Sequence, residues 1–162
     1  MLLIGLTACK DGVTEPTYPI NIPYEKYDPR LKDENMHSSC DWNYWRFFWD
    51  YENGSSTLTV INSNEELESY IECIYEKKYT EIDFSKYSLI LVNGYYQYIG
   101  SITKCLLQQI SKTEYQLDIE KRYQEGFDAT DNWILALIVD KLSKNNNIEL
   151  NVTYKHKYEK QN

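Results

Sequence analysis

The residues of this chain that could do chemistry are few and scattered. Its two histidines, His37 and His156, lie far apart, and its four cysteines, Cys9, Cys40, Cys73 and Cys105, form no Cys-x-x-Cys pair. That spacing does not build a tetrahedral zinc site, which draws on clustered Cys and His ligands. A serine nucleophile needs a histidine base within hydrogen-bond reach. His37 falls in a proline-bearing stretch and His156 near the C-terminus, so neither is well placed for that role. Asp83, Asp128, Asp131 and Asp140 offer carboxylates, but each stands at an expected strand end or loop, where Asp commonly stabilises turns. The sequence holds no Gly-x-Ser-x-Gly elbow, His-Glu-x-x-His helix or Gly-rich phosphate loop. The expectation is a protein that is not an enzyme, with no cofactor and no metal; a hydrolase with an unrecognised site is the alternative.

The cysteines are better read as an anchor and a staple. Residues 1–8 are uncharged and mostly apolar, and Lys10, Asp11 and Gly12 follow Cys9 at once. Leu6-Thr7-Ala8-Cys9 resembles the lipobox of bacterial lipoproteins, in which small residues let the signal peptidase approach and the cysteine receives diacylglycerol. Acyl chains hold a protein to a bilayer at about 0.8 kcal/mol per buried methylene. The segment is shorter than the usual secretory signal and has no basic residue before Cys9, so the signal in residues 1–8 is read as short or truncated. The competing reading is a frayed apolar N-terminus on a cytosolic protein. Lys10-Asp11 also resembles lipoprotein export signals, with Gly12 where another acid is usual. With Cys9 lipidated, three cysteines remain, and an exported chain meets an oxidising compartment. Cys40 opens an aromatic segment and Cys73 closes an expected helix that could return beside it, so these two are paired. Cys105, inside Cys105-Leu106-Leu107, reads as a small buried hydrophobe.

Aromatic residues carry the remaining signal. The chain has 16 tyrosines, and residues 42–51 hold seven aromatics in ten positions. Some of Trp42, Trp45, Phe47, Phe48 and Trp49 must serve the core, but one short element cannot bury them all. Those left outside form an apolar patch of the kind that marks a binding surface. Tyr95-Tyr96-Gln97-Tyr98 forms a second set in an expected loop. Trp45, Trp49, Tyr51, Tyr95, Tyr96 and Tyr98 are therefore the candidate binding residues. Aromatic faces beside Asn, Gln and Asp suit sugar rings or an extended peptide.

These residues need elements to position them, and 162 residues suffice for one core. The net charge of −8 lacks the basic footprint of a nucleic-acid binder, and no apolar run of membrane-spanning length occurs. Residues 9–38 carry all four prolines and read as a lipidated, extended tether. Alternatively, the alternation Tyr18, Ile20, Ile22, Tyr24 docks as an edge strand, where proline is tolerated. Residues 39–156 read as a single globular domain and 157–162 as a tail. Ser63-Asn64-Glu65-Glu66 is a capping box, and Leu67, Tyr70, Ile71 and Ile74 follow at helical spacing, predicting a helix over 64–74. Strands are expected at 57–61, 89–92 with a break at Asn93-Gly94, 101–110, 114–123, 133–139 and 148–154. Short connections favour antiparallel neighbours. The fold class is α+β, mainly β: an antiparallel sheet of five or six strands with one amphipathic helix packed on it, a small β-sandwich or open barrel being the rival.

Ile61-Asn62-Ser63, Glu66-Leu67, Ile82 to Tyr87, Trp133 and Leu150-Asn151-Val152 resemble a group of small Bacteroidales-type lipoproteins, across residues 40–155. That group has no assigned reaction, so no catalytic residue carries over. It pairs an early Cys-x-Trp, here Cys40-Asp41-Trp42, with a helix-end cysteine, which adds to the case for the disulfide. The aromatic run at 42–51 is longer than the group's pattern. Residues 83–152 also distantly resemble the C-terminal domain of a protease-complex accessory family. The resulting expectation is a lipid-anchored lipoprotein of the bacterial cell envelope, at the outer membrane, periplasmic or surface-exposed. It would act as a binding module for a glycan or a protein partner and take no nucleic acid. An inhibitor or accessory subunit of a secreted protease is the runner-up.

Overall fold

Strands whose side chains alternate between apolar and polar must pack in layers, and this chain builds three. The structure, a computed structural model, describes residues 16–30, 40–47, 52–74, 79–124, 126 and 129–158. In chain order the elements are β1 (Ile20–Asn21), β2 (Glu25–Lys26), β3 (Cys40–Trp42), α1 (Tyr44–Phe47), β4 (Ser56–Ile61), α2 (Asn64–Glu68) and β5 (Ile71–Cys73). Five ten-residue strands follow: β6 (Tyr87–Tyr96), β7 (Gly100–Gln109), β8 (Glu114–Tyr123), β9 (Asp131–Asp140) and β10 (Asn147–His156). The protein is thus mainly β with little helix, as its sequence predicts. The long strands divide between two four-stranded sheets, ordered β1-β7-β8-β10 and β2-β9-β6-β4, with β3 and β5 forming a two-stranded ribbon.

The sheet holding β6 and β9 is the middle layer, which explains why both strands are apolar on both faces. One face presents Ile90, Val92, Trp133, Leu135, Leu137 and Val139 to Leu107, Leu117 and Ile119 of the other sheet. The opposite face presents Leu89, Leu91 and Ala136 to Trp42, Phe47, Leu67, Ile71 and Ile82 in the third layer. Each fully buried Leu or Ile contributes about 1.5–3 kcal/mol relative to exposure. The outer face of the β7-β8-β10 sheet is polar, with Glu120 bonding Lys155, Arg122 and Thr103, and Asp118 bonding Gln116 and Asn151.

Three features differ from the sequence expectation. First, β10 runs parallel to β8, pairing Asn147↔Glu114 through His156↔Tyr123. The short connections from β8 to β9 and from β9 to β10 each cross to the facing sheet, and two such reversals return the chain in its original direction. Second, the helix stops at Glu68. Ser63 caps it by accepting from the Glu66 amide, and the Glu66 carboxylate accepts from the Asn62 amide. Beyond the Ser69 C-cap, Ile71-Glu72-Cys73 becomes β5 against β3, with Cys73 directly opposite Cys40. The two cysteines form a disulfide, as expected, but it joins adjacent strands rather than a strand and a helix end. Ile74, placed on the helix's apolar face by spacing, is exposed. Third, β6 continues through Asn93-Gly94, because Gly94 is where the Trp133 ring lies: a Cβ there would sit 2.5 Å from the indole.

The proline-bearing segment meets the second of its two expectations in part. Ile20–Asn21 pairs with β7 and Glu25–Lys26 with β9, so residues 20–26 lie along the edges of both sheets on one side. Ile22 and Tyr27 amides donate to Leu107 and Ala136 carbonyls, and the hydroxyls of Tyr24 and Tyr27 donate to the carbonyls of Cys105 and Thr80. Residues 1–15, including Cys9 and its lipobox, lie outside the described residues, as do His37, Trp49 and Tyr51.

Candidate functional site

Following the inward-facing positions along the sandwich leads to one distinct end. On β8 these are Leu117, Ile119, Lys121 and Tyr123; on β10, in register, Leu150, Val152, Tyr154 and His156. On β6 they are Val92, Gly94 and Tyr96, facing Leu135, Trp133 and Asp131 of β9. The core therefore passes from aliphatic to aromatic and then to a titratable mouth within three residue layers. Period-two alternation dictates this directly, since every second residue of a strand faces the same way.

At the mouth the rings form a continuous cluster. Tyr96 stacks on Tyr154, with centroids 3.9 Å apart and planes 6° apart, so the stack bridges the two sheets. Tyr98, just beyond β6, stacks on Tyr123 at 5.4 Å, and Tyr96 lies 5.1 Å from Tyr123. His156 meets Tyr123 edge-on at 5.5 Å and continues to Tyr158 at 5.6 Å. Tyr158 is 71% exposed, while Tyr96, Tyr98, Tyr123, Tyr154 and His156 are half-buried. The pairs with centroids 5.1–5.6 Å apart add about 0.5–1.5 kcal/mol each beyond area burial. Burial and hydrogen bonding to Tyr123 push the Tyr96 phenol up to about 12, and burial raises that of Tyr154, so both hydroxyls keep their protons at neutral pH.

Beneath the rings lies an ion pair. Lys121 is 3% exposed, its Nζ 3.1 Å from Asp131 Oδ2 and 4.9 Å from the Trp133 ring centroid. Asp131 Oδ2 also accepts from the Gly100 amide, which ties down the β6–β7 connection that carries Tyr98. Trp133 Nε1 donates to the Tyr154 hydroxyl. Burial lowers the Lys121 pKa, against the opposing attraction of Asp131. The mouth thus combines mutually stacked phenol rings, their hydroxyl rims and an imidazole above a buried ion pair.

The sequence-derived candidates separate in the structure. Tyr96 and Tyr98 belong to the cluster. Tyr95 points to the opposite face of β6, and its backbone bonds the Ser55 and Gly54 turn. Trp45 is 76% exposed on α1 in the third layer, and among the described residues no ring contact joins it to the tyrosines. Trp42 and Phe47 are core residues packed edge-on against each other. In the sequence His156 and Asp131 come under notice only as acid–base candidates, and nothing local marks Tyr123, Tyr154 or Lys121 as site residues. Parity could have found them: Lys121 sits on the apolar row between Ile119 and Tyr123, where a lysine demands a buried counter-charge, and Asp131 is two residues before the inward Trp133.

A concavity of about 590 Å³ lies at the opposite end of β6 and β9, with Tyr24, Glu25, Glu81, Asp83, Tyr87 and Asp140 in its walls. Asp83 serves its own turn there: Lys86 and Ser85 bond it and hold its carboxyl down near 2. No group of three or more His, Cys, Asp or Glu close enough to hold a metal occurs among the described residues, and no described helix is long and apolar enough to cross a membrane. No family model, curated protein or solved structure matches this chain.

Proposed function

We propose that this chain is a non-enzymatic binding module of the bacterial cell envelope, anchored through acyl groups on Cys9, which takes a glycan on its aromatic end. The observation that carries this reading is the convergence of Tyr96, Tyr98, Tyr123, Tyr154, His156 and Tyr158 at one end of the sandwich. Sugar rings offer flat C–H faces and a hydroxyl rim, and tyrosine offers the matching face and rim at low side-chain entropy cost. Lys121 and Asp131 answer each other beneath the rings, which favours a supporting role over acid–base work. The Cys40–Cys73 disulfide supports an oxidising compartment, in keeping with export. The acidic balance gives nucleic acid no electrostatic purchase.

A glycan array read beside a pull-down from envelope extract tests the ligand class. Glycan binding that weakens in Tyr98→Ala supports the proposal. Capture of a protein without any glycan replaces the ligand, and a folded protein that binds nothing in either assay removes the binding role. The anchor has its own test: Cys9→Ser moves the protein from the membrane to the soluble fraction, and an unchanged partition contradicts it.

A further inference from the structure

The outer edge of β10 carries a ladder that no described strand uses. Among the described residues β10 is the last strand of its sheet, paired on one side only. The Asn147 and Lys157 amides donate to the Thr113 and Tyr123 carbonyls, so the odd-numbered residues turn their backbone toward β8. By alternation, the N–H and C=O groups of Ile148, Leu150, Val152, Tyr154 and His156 point outward along the free edge. Natural proteins protect long edges with bulges, prolines, very short strands or charged side chains, and of these β10 carries only the charges of Glu149 and Lys155. β10 spans ten residues with no proline, and its pairing to β8 is unbroken.

The charge pattern of that strand identifies the occupant. We infer that β10 pairs antiparallel with β10 of a second copy of this chain, about a two-fold axis at Val152. This register sets Glu149 of each copy opposite Lys155 of the other, Asn151 opposite Thr153, and Leu150 opposite Tyr154. No like charges face each other. Centring the axis one residue earlier, on Asn151, places Glu149 opposite Thr153 and loses both ion pairs. The even-numbered residues then exchange their outward backbone bonds, and the two four-stranded sheets become one continuous sheet of both copies. The second copy brings Ile148 beside His156 and Leu150 beside Tyr154, so each aromatic mouth gains an apolar wall from its neighbour. Lys155 already bonds Glu120 within its own sheet, leaving its ammonium between two carboxylates.

Sedimentation of the whole chain, carrying Cys9→Ser so that no acyl group drives association, reads the outcome. The expected result is a reversible dimer. Reversing either charge, in Glu149→Lys or Lys155→Glu, sets like charges opposite twice and weakens dimerisation by about tenfold or more. An equimolar mixture of the two variants restores the dimer, because both cross-strand pairs are then attractive. Glu149 is exposed, so its variant keeps the fold, checked by circular dichroism, and decides the matter alone if loss of the Lys155–Glu120 pair unfolds the other. A monomeric wild-type chain at its highest soluble concentration overturns the inference. So does a dimer indifferent to Glu149→Lys, or a mixture of folded variants that stays monomeric.

Discussion

Replacing Asp131 by Asn removes one charge from beneath the aromatic mouth and keeps its shape. At 3.1 Å, the attraction between Lys121 and Asp131 is about 5 kcal/mol at an effective dielectric of 20. Burial of the lysine opposes this and outweighs it, since the Lys121 pKa lies below its ordinary value. The pair is therefore close to balanced against an apolar pair, but loss of one partner leaves a buried ammonium unanswered, which costs about 3–5 kcal/mol. Asp131 retains some solvent contact and Trp133 still faces the ammonium, so the lower end applies, about 3 kcal/mol. In a chain of this size that lowers Tm by about 6–12 °C. Lys121→Met combined with Asp131→Asn removes the stranded charge and recovers most of the loss. Lys121 also sets a pH signature. Its folded pKa is depressed, so the unfolded chain binds the extra proton and stability rises as pH climbs through the folded value toward 10.5. Asp131→Asn moves the onset of that rise to lower pH. Thermal unfolding of the single and double variants across pH is the assay. A single variant within about 2 °C of wild type, or a double variant no better than the single, refutes the account of the pair.

Four further outcomes follow from the packing and the charges. Glu120, held down to about 2 by Lys155 and Arg122, contributes stability that is present above its ordinary 4.5 and lost as pH falls toward 2; Glu120→Gln flattens an acid titration of stability in that window. Gly94→Ala drives a methyl into the Trp133 ring and costs about 1–3 kcal/mol in chemical denaturation, whereas an unchanged midpoint contradicts the close approach. Tyr154→Phe keeps the stack on Tyr96 but strands Trp133 Nε1, costing about 1–2 kcal/mol. Opening the Cys40–Cys73 bond with Cys73→Ser releases a 33-residue separation and costs about 4 kcal/mol on the chain-entropy model, read as a Tm shift against wild type.

Much of the frame was legible in the residues. The alternation from Tyr115 to Tyr123 and from Ile148 to Tyr154 located β8 and β10, and the apolar runs at 89–92 and 133–139 marked the two central strands of a covered sheet. Periodicity could not say which strands share a sheet, because a short connection serves a hairpin and a crossing to the facing sheet equally well. Local signals misled twice where a distant partner decided. Asn93-Gly94 reads as a break until Trp133 fills the space over the glycine, and Tyr70 to Ile74 reads as helix until Cys40 draws Cys73 into a ribbon. The site was half legible. Tyr96 and Tyr98 stood out as a run, but their partners are single aromatics at the ends of β8 and β10, conspicuous only once the parallel register aligns Tyr123 with His156. Trp45 was conspicuous for its neighbours in sequence, and the structure places it in a different layer from the tyrosines.

The proposed function puts the ligand on the tyrosine end and not on the exposed Trp45. A glycan array of the wild-type chain against Tyr98→Ala and Trp45→Ala, with fold checked by circular dichroism, tests it most directly. Removing an aromatic anchor worth about 2 kcal/mol lowers binding by about thirtyfold, so Tyr98→Ala loses the signal while Trp45→Ala keeps it. Undiminished binding by Tyr98→Ala, or loss confined to Trp45→Ala, contradicts the account.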